Sequence, residues 1–500
     1  MTDVRRGVPA FQPDLLADSR LHASVERLMR DDYEVEKVMA STLADTWPGD
    51  LAGRLLLSLS RYARAGMPTA ERAISLNSAM LSALEERGYL GAPLGATLDE
   101  QQVACHGWVA SGLLQHSYVT GDTRSHTAAF RVLDELIIPA LSRFDYPWAH
   151  QRNADAGGPS GTATEVVDGW ALSTDVWCIL LTLNALVPAA IDSSRNDLSN
   201  LIGGFVSIVE RLDVVAHRAQ LHAVMAAARN LADWAVATGD ARAGAAAAAL
   251  YDTYALEGRT LNYATFNWFG RPDTWTEPCA IVDSLGAATT LHELTGDARY
   301  RRDATRIARN GLEFAERQDG SFGLDTIATA TMPTLSPIEP DAHWCCTMRG
   351  AIGLLEARET AARLSDGVLA ISDLYPGRHH VQTQSGAWLI QQTAPRALPN
   401  SAEFTVIAAE QSSLPLEVRV AIEDVESVFL VRPDAGMHAE VNLEFMARSE
   451  HIQGADTVWI GPVLQCEVDG PGGPTRLLLS DIAGLFTATE QPLVRLSTQV

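Results

Sequence analysis

The stretch Leu294-Thr295-Gly296-Asp297-Ala298-Arg299-Tyr300 closes one apolar helical run and opens another, and its central phrase recurs earlier as Thr120-Gly121-Asp122 and Thr238-Gly239-Asp240. Each glycine suits the left-handed residue that ends a helix, and each aspartate suits the N-cap of the next. The glycines lie 118 and 57 residues apart, about two periods and one period of a helical hairpin roughly 58 residues long. Dividing residues 20 to 365 by that period gives about six hairpins. Six helical hairpins closed into a ring predict a mainly α fold, an (α/α)6 barrel, whose central funnel of helix ends and loops is a common place for carbohydrate chemistry.

After about Asp366 the pattern changes to alternation, as in Trp388-Leu-Ile-Gln-Gln-Thr393 and Leu416-Glu-Val-Arg-Val-Ala-Ile422, with turn residues such as Ser385-Gly386 between runs. Residues 366–500 are therefore expected to form a C-terminal β-sandwich, and residues 1–365 the catalytic barrel. Two long irregular stretches interrupt the helices. One is His150 to Glu165, with Gly157-Gly158-Pro159-Ser160-Gly161, and the other is Asp319 to Ala342, with Pro333, Pro337 and Pro340. Loops of this length in a compact domain tend to be functional rims. The all-alanine run from Ala245 to Ala249 sits inside a helical pattern and needs only tight helix packing to explain it.

The composition excludes several partners. The chain has 500 residues, 47% hydrophobic and 20% charged, enough for a large core and a second domain. Sixty-two acidic against 38 basic residues leave a net charge of −24, which repels nucleic acid and anionic lipid. Arg5 and Arg6 are followed by Gly7-Val-Pro-Ala-Phe-Gln-Pro-Asp14, which lacks the apolar core of a signal peptide. No stretch approaches the about 18 apolar residues of a membrane span. The expected location is the cytoplasm, with a homodimer compatible with the sequence. Six cysteines are too few for a disulfide framework, and a reducing compartment leaves their thiols free for metal or catalysis.

Two groups of residues carry the chemistry. Cys345 and Cys346 stand at the mouth of one expected helix, with Met348, Ile352, Leu355 and Ala362 following. Glu277-Pro278-Cys279 stands at the mouth of another, whose buried stripe is Ile281, Leu285, Ala288, Leu291 and Leu294. Three thiols and a carboxylate make a complete tetrahedral set for one zinc ion, and helix N-termini favour thiolates. The alternative is inert packing, because free cysteine is among the most buried residue types. A vicinal disulfide is strained. Cys105, Cys178 and Cys466 lack acidic or cysteine company and are expected in the core. His343 and Trp344 precede the pair, where a histidine can bind a sugar hydroxyl and a tryptophan can stack on a sugar face. His106 and Trp108 suggest the same pairing on another helix.

Thr276-Glu-Pro-Cys-Ala280, Leu294-Thr-Gly-Asp-Ala-Arg-Tyr300, His343-Trp-Cys-Cys-Thr347 and the later Trp459-Ile-Gly-Pro-Val-Leu464 together resemble the β-L-arabinofuranosidase family, glycoside hydrolase family 127. The resemblance spans most of residues 230 to 470. It implies a barrel with β-sandwich material, a zinc on Glu277, Cys279, Cys345 and Cys346, and Cys345 as the nucleophile of a retaining glycosidase. The substrate implied is a small carbohydrate, a β-L-arabinofuranoside or related glycoside. The family's catalytic acid falls on Leu261 here. Glu257 is the nearest glutamate upstream and Asp273 the nearest acid in between, so the acid is one of these or comes from another loop. Thr347-Met-Arg-Gly350 also departs from the family, which lacks neither proline nor asparagine after the pair. A non-catalytic sugar-binding protein with a structural zinc, or a lyase or epimerase on the same barrel, are the competing expectations.

Overall fold

The computed structural model describes residues 11–44, 47–143, 145–152, 160–365, 367–373, 375–383, 386–392, 401–408, 415–423, 425–432, 438–470, 473–482 and 493–497. Arg5, Arg6, the glycine pair and Pro159 of the first loop, and Ser385 lie outside these residues. The helices are α1 (Ser19–Leu28), α2 (Val35–Ala44), α3 (Asp50–Arg64), α4 (Ala70–Leu84), α5 (Glu100–Thr120), α6 (Thr123–Val132), α7 (Ile138–Arg143) and α8 (Leu183–Ser193). They continue with α9 (Asn196–Val209), α10 (Leu221–Thr238), α11 (Ala241–Thr253), α12 (Pro278–Thr295), α13 (Ala298–Arg306), α14 (Glu313–Ala315) and α15 (Cys346–Glu359). No helix among the described residues is long and apolar enough to cross a membrane.

Packing sorts these helices into two layers. α3 packs on α5, α5 on α8, α8 on α10, α10 on α12, α12 on α15, and α15 back on α3, which closes a cycle of six. Outside them lie α4 on α3, α6 on α5, α9 on α8, α11 on α10 and α13 on α12, while α1 from the chain start covers α15. Burial follows the layers. Every residue of α5 from Glu100 to Ser117 is buried, as a helix with neighbours all round must be, whereas α6 buries only Ser125, Ala129 and Val132 on one stripe. Between α3 and α5 the backbones touch: a Cβ on Gly53 would sit 2.5 Å from the Trp108 carbonyl carbon and the Val109 nitrogen.

The repeated phrase does what its residues predict. Gly121, Gly239 and Gly296 end α5, α10 and α12 at φ of 74°, 78° and 71°. Asp122, Asp240 and Asp297 then accept from the backbone N–H of Arg124, Arg242 and Arg299 to start the outer helices. The threonine has its own part. The Thr295 hydroxyl donates to the Leu291 carbonyl (2.7 Å) and accepts from the Asp297 N–H (3.2 Å), and Thr120 and Thr238 repeat both bonds.

Beyond α15 the chain turns to strands. One sheet runs in the order Phe11–Gln12, Gly377–Thr383, Gly386–Gln392, Ser401–Ala408, His438–Glu444, and a second in the order Val425–Val431, Leu416–Ile422, Val368–Ile371, Ala362–Ser365. Val381, Trp388, Ile390 and Val406 of the first share one apolar core with Leu369, Val418, Val420 and Val431 of the second. A third sheet contains Ala447–Ile452, Ala455–Ile460, Val463–Gly470, Val494–Leu496 and Thr334–Leu335, with Gly473–Leu478 paired to Val463–Gly470. Its Trp459, Leu464 and Val494 belong to the core of the helices.

The single boundary expected after residue 365 is therefore crossed. Phe11 pairs with Val381, Leu335 pairs with Val494, and Ala362 already pairs with Ile371. Two-residue strands carry no alternation, which is why the sequence pattern does not reveal them. Charged ties cross the same border. Arg306 at the end of α13 is 2% exposed and binds Glu423 at 2.7 Å and Glu450 at 2.7 Å, with its guanidinium 4.1 Å from the Trp459 ring.

Candidate metal centre

α12 begins at Pro278, whose missing N–H costs nothing in the first turn. Glu277 is the N-cap residue of α12 and Cys345 that of α15, yet neither side chain caps its own helix. Both are thereby left for each other. The second long loop clips the two mouths together: Thr276 N–H donates to the Asp325 carbonyl (2.8 Å), Ala342 N–H to the Phe322 carbonyl (2.9 Å), and Phe322 N–H to Thr347 Oγ1 (3.0 Å).

As a result, one donor atom each from Glu277, Cys279, Cys345 and Cys346 lies within 4.8 Å of all the others. The Cys279 and Cys346 sulfurs are 3.7 Å apart and those of Cys345 and Cys346 3.3 Å, with all six cysteines free. Zinc with bonds to sulfur of about 2.3 Å in a tetrahedron holds two sulfurs about 3.8 Å apart. Donor type and spacing thus fit one divalent ion with sulfur and oxygen ligands. Access is unequal. Glu277 is 8% exposed, Cys279 0% and Cys346 1%, whereas Cys345 is half-buried. Beside it His343 and Trp344 are both exposed, their rings edge to face at 5.2 Å, and Tyr33 Oη donates to the His343 carbonyl (2.6 Å).

A charged shell encloses the cluster, and composition gave no sign of it. An Arg54 N–H donates to Cys279 Sγ (3.6 Å) while its Nε donates to Asp50 (2.7 Å). His222 spans Glu277 (3.4 Å) and Asp283 (3.3 Å), and Asp283 is also gripped by Arg349 and Arg229. The Asn267 amide, turned to satisfy both neighbours, donates to Glu277 (2.7 Å) and accepts from Trp275 (3.1 Å). Burial opposes the Cys279 thiolate, but hydrogen bonds with Cys345 and Cys346 and the charges of His222 and Arg54 outweigh it and hold this thiol well below its usual range. Burial likewise opposes the His222 cation, yet Glu277, Cys279 and Asp283 push its pKa up to about 10. The local signal for Arg54, His222, Asp283 and Arg349 is a single titratable residue inside an apolar helical run.

Two expected sugar contacts, His106 and Trp108, are buried. Trp108 is 1% exposed and forms the floor of the site, stacked on His222 (5.9 Å) between Arg54 (4.2 Å) and Arg349 (5.0 Å). His106 is 0% exposed, accepts from the Leu90 N–H (2.9 Å) and meets the Gln102 carbonyl (2.6 Å), and burial drives its pKa down to about 4. It is a neutral core residue. Residues two apart on a helix point to nearly opposite sides, so His106 cannot share the face of Trp108.

Among the described residues the expected acids are not part of the convergent donor group. Glu257 is exposed in the π-turn Tyr254–Gly258 that ends α11, and Asp273 is exposed and paired with Arg271 (2.8 Å). Among the described residues neither bonds to the cluster. Asp175, in the turn before the short helical segment Cys178–Thr182, is 3% exposed and accepts from Ser160 at both carboxylate oxygens (2.9 Å). Burial, then the charge of nearby Glu277, pushes it up to about 7. The turn is pinned to the same end of the helices, since Trp268 Nε1 donates to the Thr174 carbonyl (3.1 Å) and Gln220 N–H to the Val176 carbonyl (3.1 Å).

No protein-family model matches the sequence, and no curated protein is similar to it in sequence. Solved structures are similar in shape. A GH127 β-arabinofuranosidase superposes with a TM-score of 0.62 at 14% identity, over 90% of this chain and 79% of its own. A GH127 β-L-arabinofuranosidase from Geobacillus stearothermophilus T6 gives 0.60 at 13%, over 91% and 84%. A structure described as a glycoside hydrolase gives 0.61 at 13%, over 89% and 81%. This chain has the fold of these enzymes. The arabinofuranosidase fold accounts for the two layers of helices and the sheets that follow, and the donor set stands on its own chemistry.

Proposed function

We propose that the protein is a zinc-containing retaining glycoside hydrolase, a divergent relative of the GH127 enzymes, releasing a terminal sugar such as β-L-arabinofuranose. In this reading the closed cycle of six helices is the inner wall of an (α/α)6 barrel, and the two sheets that share a core form a β-sandwich. One observation carries the proposal: four convergent donors of which only Cys345 faces outward, beside exposed His343 and Trp344. Zinc, held by Glu277, Cys279, Cys345 and Cys346, would supply the positive charge that keeps the thiols deprotonated.

The Cys345 thiolate attacks the anomeric carbon, so that the sulfur–carbon bond forms as the bond to the leaving oxygen breaks. That oxygen takes a proton from a carboxylic acid, and water, deprotonated by the same group, later releases the sugar. We assign the acid to Asp175 over Glu257, because its buried carboxyl holds a proton near neutral pH while Glu257 is solvated. Trp344 offers a stacking face for the sugar and His343 a polar contact.

Turnover of an aryl glycoside panel by the zinc-loaded protein tests the reading. Hydrolysis of at least one member, abolished by Cys345→Ser, is expected, and no turnover of any member rejects it. Leu261, 0% exposed at the position of the family's acid, favours one competitor, a sugar-binding protein with a structural zinc. Sugar binding by calorimetry with one zinc per chain and no product on prolonged incubation would establish that reading instead.

A further inference from the structure

At the end of the helices remote from the thiols, α3, α5, α10, α12, α13 and α15 line with the strand Val368–Ile371 a cavity of about 330 Å3. Along α12, Cys279 and the cavity residue Thr290 are about 16 Å apart at 1.5 Å per residue, so the two sites are distinct. The cavity wall carries Arg61, Arg64, Arg229, Arg301 and Arg363 against Asp233, Glu293, Glu356 and Glu359. A small excess of positive charge is thus concentrated in a chain whose net charge is −24.

Four of these arginines are already matched. Arg61 pairs with Glu359 (2.8 Å) and Glu356 (3.4 Å), Arg64 with Glu359 (3.2 Å), Arg229 with Glu356 (2.7 Å) and Arg363 with Glu293 (2.8 Å). Arg301 makes neither an ion pair nor a side-chain hydrogen bond among the described residues, and burial lowers its pKa more than the charges of Glu426 and Glu423 raise it. Gln115 lines the cavity and is 1% exposed, and its buried amide nitrogen has no partner, nor does the buried Nε of Arg61. A buried donor without an acceptor costs about 1–3 kcal/mol, so this wall is short of acceptors. The remaining wall sets apolar Leu285, Ala370, Ile371 and Ala421 beside polar Thr289, Thr290, His292, Thr360 and Ser372. A volume near 300 Å3 is at the lower end of small-ligand sites, about right for a body of monosaccharide size.

We propose that this cavity is a second ligand site, for a small organic anion that sets a carboxylate or phosphate group against Arg301 and the Gln115 amide and rests its body on the apolar wall. The site stands independently of any hydrolase activity at the thiols. Calorimetric titration of the zinc-loaded full chain with glucuronate, glucose 6-phosphate, inorganic phosphate and glucose tests it, the first two probes separating the carboxylate and phosphate sources. At least one organic anion is expected to bind, at least tenfold more weakly to Arg301→Gln and to Gln115→Leu, and unchanged in Cys345→Ser. Arg301 is half-buried, so its variant is expected to melt with the wild type. If Gln115→Leu does not fold, Arg301→Gln alone decides. The proposal is overturned if neither organic anion binds, if glucose or inorganic phosphate binds as tightly, or if Arg301→Gln leaves binding unchanged.

Discussion

Cys345 and Cys279 are both ligands of the proposed ion, but they differ in exposure. Cys345 opens to solvent next to Trp344, and Cys279 is sealed against Arg54. Their substitutions should separate. Cys345→Ser should lower turnover of the best aryl glycoside by about a thousandfold or more, whereas Cys279→Ala should abolish stoichiometric zinc as read by metal analysis. Asp175 makes a prediction with a sign. An acid with a pKa of about 7 is competent while protonated, so the rate should fall as pH rises through that value. Asp175→Asn should remove that limb of the pH–rate profile and Glu257→Gln should leave it. At this scale the sequence was legible where ligands lie close along the chain, as Glu277-Pro-Cys279 and Cys345-Cys346 do. His222 and Arg54 come from two other helices and Asp175 from a turn, and only the closed ring of helices brings them to Glu277 and Cys279. His106 misled because an apolar helical run hides which face each residue takes, and here both ring nitrogens serve the backbone.

The Thr-Gly-Asp connector was readable because every bond that closes it lies within five residues, and the same bonds recur after α5, α10 and α12. Replacing the N-cap in Asp240→Ala should cost about 1 kcal/mol in urea denaturation, since two backbone N–H groups lose their acceptor. Gly53→Ala should cost more, about 1–3 kcal/mol from overpacking, because its new methyl meets the α5 backbone and no side chain can move aside. The hairpin between α8 and α9 lacks the phrase and turns instead on Ser194 at φ of 56°, which is why the repeat skips a period between Gly121 and Gly239. The two-residue strands at Phe11–Gln12 and Thr334–Leu335 are formed by partners elsewhere in the chain.

For the whole molecule, the helical layers and the C-terminal sheets are joined by buried charge as well as by apolar contact. Arg306 shares Glu450 and the buried side chain of Glu423 with Arg448, so Arg306→Met should destabilise the protein by about 1.5–3 kcal/mol, through the loss of its charge-assisted hydrogen bonds while Arg448 still pairs both carboxylates. Chemical unfolding followed separately by helical and aromatic signals checks this. All of the architecture, from the ring of helices to the loop that clips two helix mouths together, serves to converge three sulfurs and a carboxylate on one point. X-ray absorption at the zinc edge of the purified protein tests that convergence most directly. One zinc per chain with three sulfur neighbours near about 2.3 Å and one oxygen near about 2.0 Å, lost in Cys279→Ala, is the predicted result. Zinc bound only by nitrogen and oxygen, or a metal content that Cys279→Ala does not change, would contradict it.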